Sequence, residues 1–227
     1  MIRLCFHVLT TLFFITSASC SDAPEEPLYP SCPPGFQMEQ IGAGQHTGFM
    51  SSGQSRSFHL FLPAGATEPG PHPLGVVFHD TDWNGKEFTE DALMPGFVDT
   101  GFILLALDGN DNGPVWPDWD AIRNENQQAD INHDLIFYDD AVACIQEMYP
   151  IDNQRIFVIG KSAGAIMVNY VLGRRSDSIA GGIVGSGWFD LTQPIPATPL
   201  GNMTVIMTFG GDNDQWSGGA NDNPEDE

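Results

Sequence analysis

The apolar positions of the chain fall into short runs, each the length of a strand or a helix, separated by polar stretches rich in glycine and proline. Ser57-Phe58-His59-Leu60-Phe61-Leu62 alternates with period two after the turn signal Ser51-Ser52-Gly53, which predicts a strand with one covered face. Leu74 to His79 is apolar almost throughout, and so is Phe102 to Leu107; both predict buried strands. Between them, Glu87 to Val98 predicts a helix interrupted at Pro95. Helical spacing returns from Asp134, with Leu135, Val142, Ile145 and Met148 on one face and Pro150 closing the run. Arg155 to Ile159 predicts a third buried strand, Ala163 to Leu172 a helix, and Ile179 to Val184 and Thr204 to Phe209 two further strands. Strands alternating with helices at this spacing imply a single α/β domain with a mostly parallel sheet and right-handed crossovers.

The first residues follow a different logic. Arg3, the apolar stretch Leu4 to Ile15 and the small residues Thr16-Ser17-Ala18-Ser19 predict an export signal over 1–19. The apolar run is shorter than the ~20 residues a spanning helix needs, so no transmembrane segment is expected. Residues 20–39, rich in Pro, Ser, Asp and Glu, read as a flexible tether, and 40–227 as the folded domain. Ser17-Ala18-Ser19-Cys20 partly resembles a bacterial lipoprotein cleavage box but lacks the aliphatic residue at its first position. Localisation therefore stands as secreted, with a lipid anchor at Cys20 as the alternative. Cys32 and Cys144 have two open readings, a disulfide in an oxidising compartment or two separate thiols.

Charge narrows the function. Thirty acidic residues against 8 basic ones give a net charge of -22, a surface that repels nucleic acid and anionic headgroups. Residues 108–133 form a long polar loop, and loops of that length are more often functional than not. Asp108-Gly109-Asn110-Asp111-Asn112-Gly113 matches the first half of a calcium loop, but the twelfth position is Trp119, so a plain turn-rich loop is the better reading and no metal is expected.

Candidate chemistry sits at Gly160-Lys161-Ser162-Ala163-Gly164. Composition alone yields about 0.15 such Gly-x-Ser-x-Gly matches in a chain this long, so the motif needs its context. A predicted strand enters it and a predicted helix leaves it. A turn that sharp strains the serine and exposes its hydroxyl, while the Ala163 N–H at the helix start can hold an oxyanion. An ordinary glycine-rich turn is the competing reading.

The stretch from Ser57 to Asp214 resembles the secreted polyhydroxybutyrate depolymerase and feruloyl esterase group of α/β-hydrolases. The matching pieces are Arg56 to Pro63, Pro73 to His79, Asp139-Asp140-Ala141-Val142, Tyr149-Pro150-Ile151-Asp152, and Arg155-Ile156 running into the elbow. The resemblance implies a three-layer sandwich around a mostly parallel sheet, and ester hydrolysis through an acyl-enzyme on Ser162, without a cofactor. The substrate it implies is an acyl ester, polymeric in the case of a polyester or feruloylated polysaccharide. A second oxyanion N–H is expected at Asp80, where the family's His-Gly is replaced by His79-Asp80-Thr81-Asp82; a carboxylate turned inward there would oppose catalysis. The family's His-Gly-x-x-Asp aligns with Gly210-Gly211-Asp212-Asn213-Asp214, making Asp214 the expected triad acid and Asp212 the second choice.

The triad histidine is missing. His7, His46, His59, His72, His79 and His133 all precede Ser162, whereas this fold orders its triad Ser, Asp, His. After Asp214 no further strand or helix pattern follows, so the last strand, the histidine loop and the closing helix of such a fold are expected beyond residue 227. Two other readings stay open: an inactive hydrolase-fold binding or surface protein, and a serine peptidase on the same fold.

Overall fold

The computed structural model describes residues 31–34, 41–68, 70–92, 94–109, 116, 132–187 and 202–211. The expected export signal, Cys20, Asp212 and Asp214 lie outside the described residues.

β1 (Gly44–Ser51) and β2 (Gln54–Phe61) form an antiparallel hairpin. Its two central turn residues, Ser52 (φ 49°) and Gly53 (φ 76°), are both left-handed, the conformation that matches a tight turn to the twist of its strands. β2 then pairs antiparallel with β4 (Ile103–Leu107), and everything beyond is parallel: β4 with β3 (His72–Phe78), β3 with β5 (Ile151–Lys161), β5 with β6 (Gly181–Gly185), and β6 with β7 (Thr204–Thr208). The resulting seven-stranded sheet has the order β1-β2-β4-β3-β5-β6-β7. Two short helices, α1 (Gly85–Asp91) and α2 (Pro95–Asp99), replace the single interrupted helix expected over 87–98, with Pro95 opening the second instead of merely breaking the first.

The long helices are α3 (His133–Met148), capped by the Asn132 side chain accepting from the Leu135 N–H, and α4 (Ala163–Arg174). Alternation along the strands divides the core in two. Leu74, Val76, Phe78, Ile103, Leu105, Leu107, Ile156 and Val158 pack with residues of α3 and α4; Val77, Leu104, Ala106 and Ile159 pack with Phe88 of α1 and Met94. A buried ion pair, Arg56 to Asp134 at 2.7 Å, joins β2 to the first turn of α3, with the guanidinium 4.4 Å from the Phe137 ring centroid. Among the described residues no helix is long and apolar enough to cross a membrane.

The two cysteines left open by the sequence form a disulfide: Cys32 is joined to the fully buried Cys144 of α3. This part of the expected tether is therefore fastened to the domain, and the Cys32 N–H also donates to Glu147 at 2.7 Å. Composition reads local chain stiffness, and a bond to a residue 112 positions away leaves no local signature.

Candidate active site

Ser162 stands between β5 and α4 at φ 53° and ψ -122°, a left-handed backbone that side chains rarely adopt. Its main chain is fully engaged. The N–H donates to the Gly185 carbonyl at 2.8 Å, and its own carbonyl accepts from the N–H groups of Ala165 (2.9 Å) and Ile166 (3.1 Å). A serine at this N-cap position ordinarily bonds the second or third helical N–H; here the side chain makes no capping bond. The hydroxyl is thus not spent on the capping bond its position would give it. The elbow closes only around glycine: a β-carbon on Gly160 would lie 2.5 Å from the Gly164 carbonyl oxygen, and one on Gly164 would overlap the Phe78 carbonyl. The second clash also shows how tightly the end of β3 abuts the elbow.

That end of β3 carries His79 and Asp80. The ring of His79 is buried, with Nδ1 2.7 Å from the Asp80 carbonyl and Nε2 accepting from the Gly109 N–H at 2.8 Å. Since Gly109 can only donate, Nε2 is unprotonated and Nδ1–H donates to Asp80, which fixes a neutral ring. Burial lowers its pKa in the same sense. His79 therefore clamps the β3 loop to the end of β4 and has no nitrogen left for Ser162. The Asp80 carboxylate, expected to endanger the oxyanion position, is held by Lys161, whose Nζ donates to Oδ2 at 2.8 Å. Asp82 is exposed at φ 65°. The Ala163 N–H, first in its helix, has no carbonyl within the helix to reach.

β6 and β7 end at the same edge of the sheet. Ser186, also left-handed at φ 53°, donates its N–H to the Thr208 carbonyl at 2.7 Å. The loop expected to carry the acid, with Asp214 and Asp212, leaves from that edge but lies outside the described residues. The other described histidines are engaged away from Ser162. His46 Nε2 is 2.8 Å from the Gly42 carbonyl, His59 Nδ1 3.2 Å from Gln45, and His72, at the opposite end of β3, 3.0 Å from the Gly101 carbonyl. His133 is the first residue of α3, not a loop residue, and its Nδ1 lies 2.7 Å from Ser52 Oγ. Ser52 is in the β1–β2 turn, three or more strand spacings from β5, roughly 15 Å across the sheet.

The comparisons with known proteins agree with this geometry. A family model described as phospholipase/carboxylesterase matches residues 100–217, just over half of the chain, elbow included. The chain belongs to the phospholipase/carboxylesterase family of α/β-hydrolases. Similar to this chain by sequence is an oxidized polyvinyl alcohol hydrolase of Sphingopyxis sp. (strain 113P3), 23% identical over 268 aligned residues that cover 94% of this chain and 72% of that one. A protein of the same name from Pseudomonas sp. is 25% identical, over 82% of this chain and 62% of its own length. The chain thus spans about two thirds of the length of these curated relatives. Native pOPH superposes with a TM-score of 0.66 at 22% identity (82% of this chain, 71% of that one), and native sOPH with 0.65 at 22% (86% and 74%). A thermostable esterase follows at 0.55 and 15% (74% and 55%). At these identities the structures share the α/β-hydrolase fold.

Two features of the candidate site escaped the sequence. The Lys161–Asp80 pair joins residues 81 positions apart, and the only signal was a lysine inside the elbow of a chain with so few cations. Asp108, first residue of the half calcium loop, accepts from the Gly85 N–H (2.8 Å), Ser57 Oγ (2.6 Å) and Gln45 Nε2 (2.9 Å). Its carboxylate thus fastens β1, β2 and α1 to the end of β4.

Proposed function

We propose that the protein is an exported serine hydrolase of carboxylic esters, akin to polyhydroxybutyrate depolymerases and feruloyl esterases and directed at polymeric or polymer-linked acyl esters. The single observation that carries this reading is the backbone of Ser162, left-handed and pinned at both peptide groups, with a hydroxyl that declines the helix cap. The Cys32–Cys144 bridge supports export, because such bonds persist in oxidising compartments. The names of the two relatives, both hydrolases of an oxidised polymer, support a polymeric substrate. Release after signal cleavage is the reading taken here, with a lipid anchor at Cys20 as its alternative.

In this mechanism Ser162 Oγ attacks the ester carbonyl, and the Ala163 and Asp80 N–H groups hold the oxyanion of the tetrahedral intermediate. The alcohol leaves with the proton taken from Oγ, and water then cleaves the acyl-enzyme. Asp214, ahead of Asp212, is assigned to orienting a triad imidazole as the carrier of that proton, a group that none of the histidines from His7 to His133 is placed in the sequence to supply.

A second reading rests on the histidines. None of those among the described residues faces Ser162, which favours a binding protein that keeps the fold without turnover. A fluorophosphonate probe separates the two. The esterase reading expects labelling that Ser162→Ala abolishes, together with hydrolysis of hydroxybutyrate oligomers or feruloyl esters. An unlabelled wild-type chain that still binds such polymers would establish the second.

A further inference from the structure

The middle residue of the elbow's first half reaches across to the other side of the site. Lys161 precedes Ser162, and its ammonium donates to Asp80 Oδ2 at 2.8 Å, so the pair ties the elbow to the loop assigned the second oxyanion donor. The two partners are unequally placed. The lysine side chain is 59% exposed, whereas that of Asp80 is 12% exposed, and Asp80 Oδ1 is buried without a hydrogen-bond partner among the described residues. A pair with one end so exposed adds little to folding. Its effect on chemistry is another matter. A carboxylate buried beside a developing oxyanion raises the barrier, and more so where little water screens it.

We propose that Lys161 is a positioning residue for ester cleavage: its ammonium holds the Asp80 carboxylate to one side and offsets its charge, so that the loop presents an N–H to the oxyanion instead of a negative charge. This rests on the serine-esterase reading. It accounts for how a loop beginning His-Asp serves where a glycine follows the histidine in the resembling family. The acid at Asp80 is matched by the base at Lys161, and His79 holds the Asp80 peptide through the Nδ1–H bond to its carbonyl.

The test uses the full chain, the fluorophosphonate labelling rate and steady-state hydrolysis of p-nitrophenyl butyrate. Lys161→Met is expected to slow labelling and lower kcat about tenfold or more, with KM changed less than about twofold, because the charge acts on the transition state. Lys161→Arg, which keeps the charge, stays within about threefold of the wild type. Adding Asp80→Asn to Lys161→Met raises the rate about tenfold over the single variant, since the charge that needed offsetting is gone. A merely structural pair shows no such recovery. Equal rates for Lys161→Met and the wild type, or no gain on adding Asp80→Asn, would overturn the proposal while leaving the esterase reading in place. A wild-type chain that does not label overturns that reading, and this inference with it.

Discussion

The α-carbon of Gly164 faces the carbonyl oxygen of Phe78 with no room for a side chain between them. A β-carbon there would overlap that oxygen and lie 2.5 Å from the His79 carbonyl oxygen. Both obstacles are backbone atoms of β3 and its loop, so neither can rotate aside. Gly164→Ala is expected to destabilise the protein by about 2–4 kcal/mol in urea unfolding. Gly173, in the same helix, is the control, because a β-carbon added there would meet nothing within 4 Å. Gly173→Ala should be neutral or stabilise by up to about 1 kcal/mol.

The strain at Ser162 has a measurable consequence. With φ at 53°, the residue holds a conformation open to glycine at little cost. Ser162→Gly should gain about 1 kcal/mol of stability while abolishing fluorophosphonate labelling, and Ser162→Ala should abolish labelling with no such gain. Chemical denaturation of both variants decides this: equal stabilities would mean that the elbow is not strained.

His79 gives stability a pH dependence of known sign. Burial, its largest influence, lowers its pKa below the ordinary 6.5, while the bond to the Asp80 carbonyl and the nearby carboxylates oppose this. A lowered folded-state pKa means that the unfolded chain binds the proton first as pH falls. The contribution is therefore complete above pH 6.5 and lost below it, at up to about 1.4 kcal/mol per pH unit. His59, also lowered by burial, adds to the slope, whereas Asp140, raised by burial, acts the other way and only in the carboxylate range. Urea titrations at pH 7.5, 6.5 and 5.5 should show a decline that His79→Gln flattens more than His59→Gln does.

The Cys32–Cys144 bridge closes a loop of 112 residues, so the cross-link restricts the unfolded chain strongly. Reduction, or Cys32→Ser, should lower stability by about 5 kcal/mol by the loop-entropy relation, read as a fall in Tm. Cys144→Ser should cost more, because it also leaves a hydroxyl at a fully buried position on α3.

The local physics of the chain was written in its sequence. Leu74 to Phe78 and Ile103 to Leu107 are continuous apolar runs because β3 and β4 are covered on both faces, and half of the elbow's glycine requirement is local, because Gly160 answers a clash with the Gly164 backbone four positions on. Where burial gives no period, legibility failed. β1 buries only Phe49 and Ser51 of its eight residues and is a strand because β2 offers it hydrogen bonds. β5 begins at Ile151, four residues ahead of the apolar run that announced it.

What remained was decided by tertiary structure alone. The sequence placed Ser162 on a strained turn and supplied an esterase-like frame, but it held Asp80 to be a threat and left the two cysteines undecided. Pairing Lys161 with Asp80, Cys32 with Cys144, and the Gly109 N–H with His79 Nε2 joins residues 30 to 112 positions apart. Such contacts depend on the order in which strands lie side by side, with β3 between β4 and β5. Periodicity fixes which face of a strand is buried; it carries no record of the neighbour that buries it.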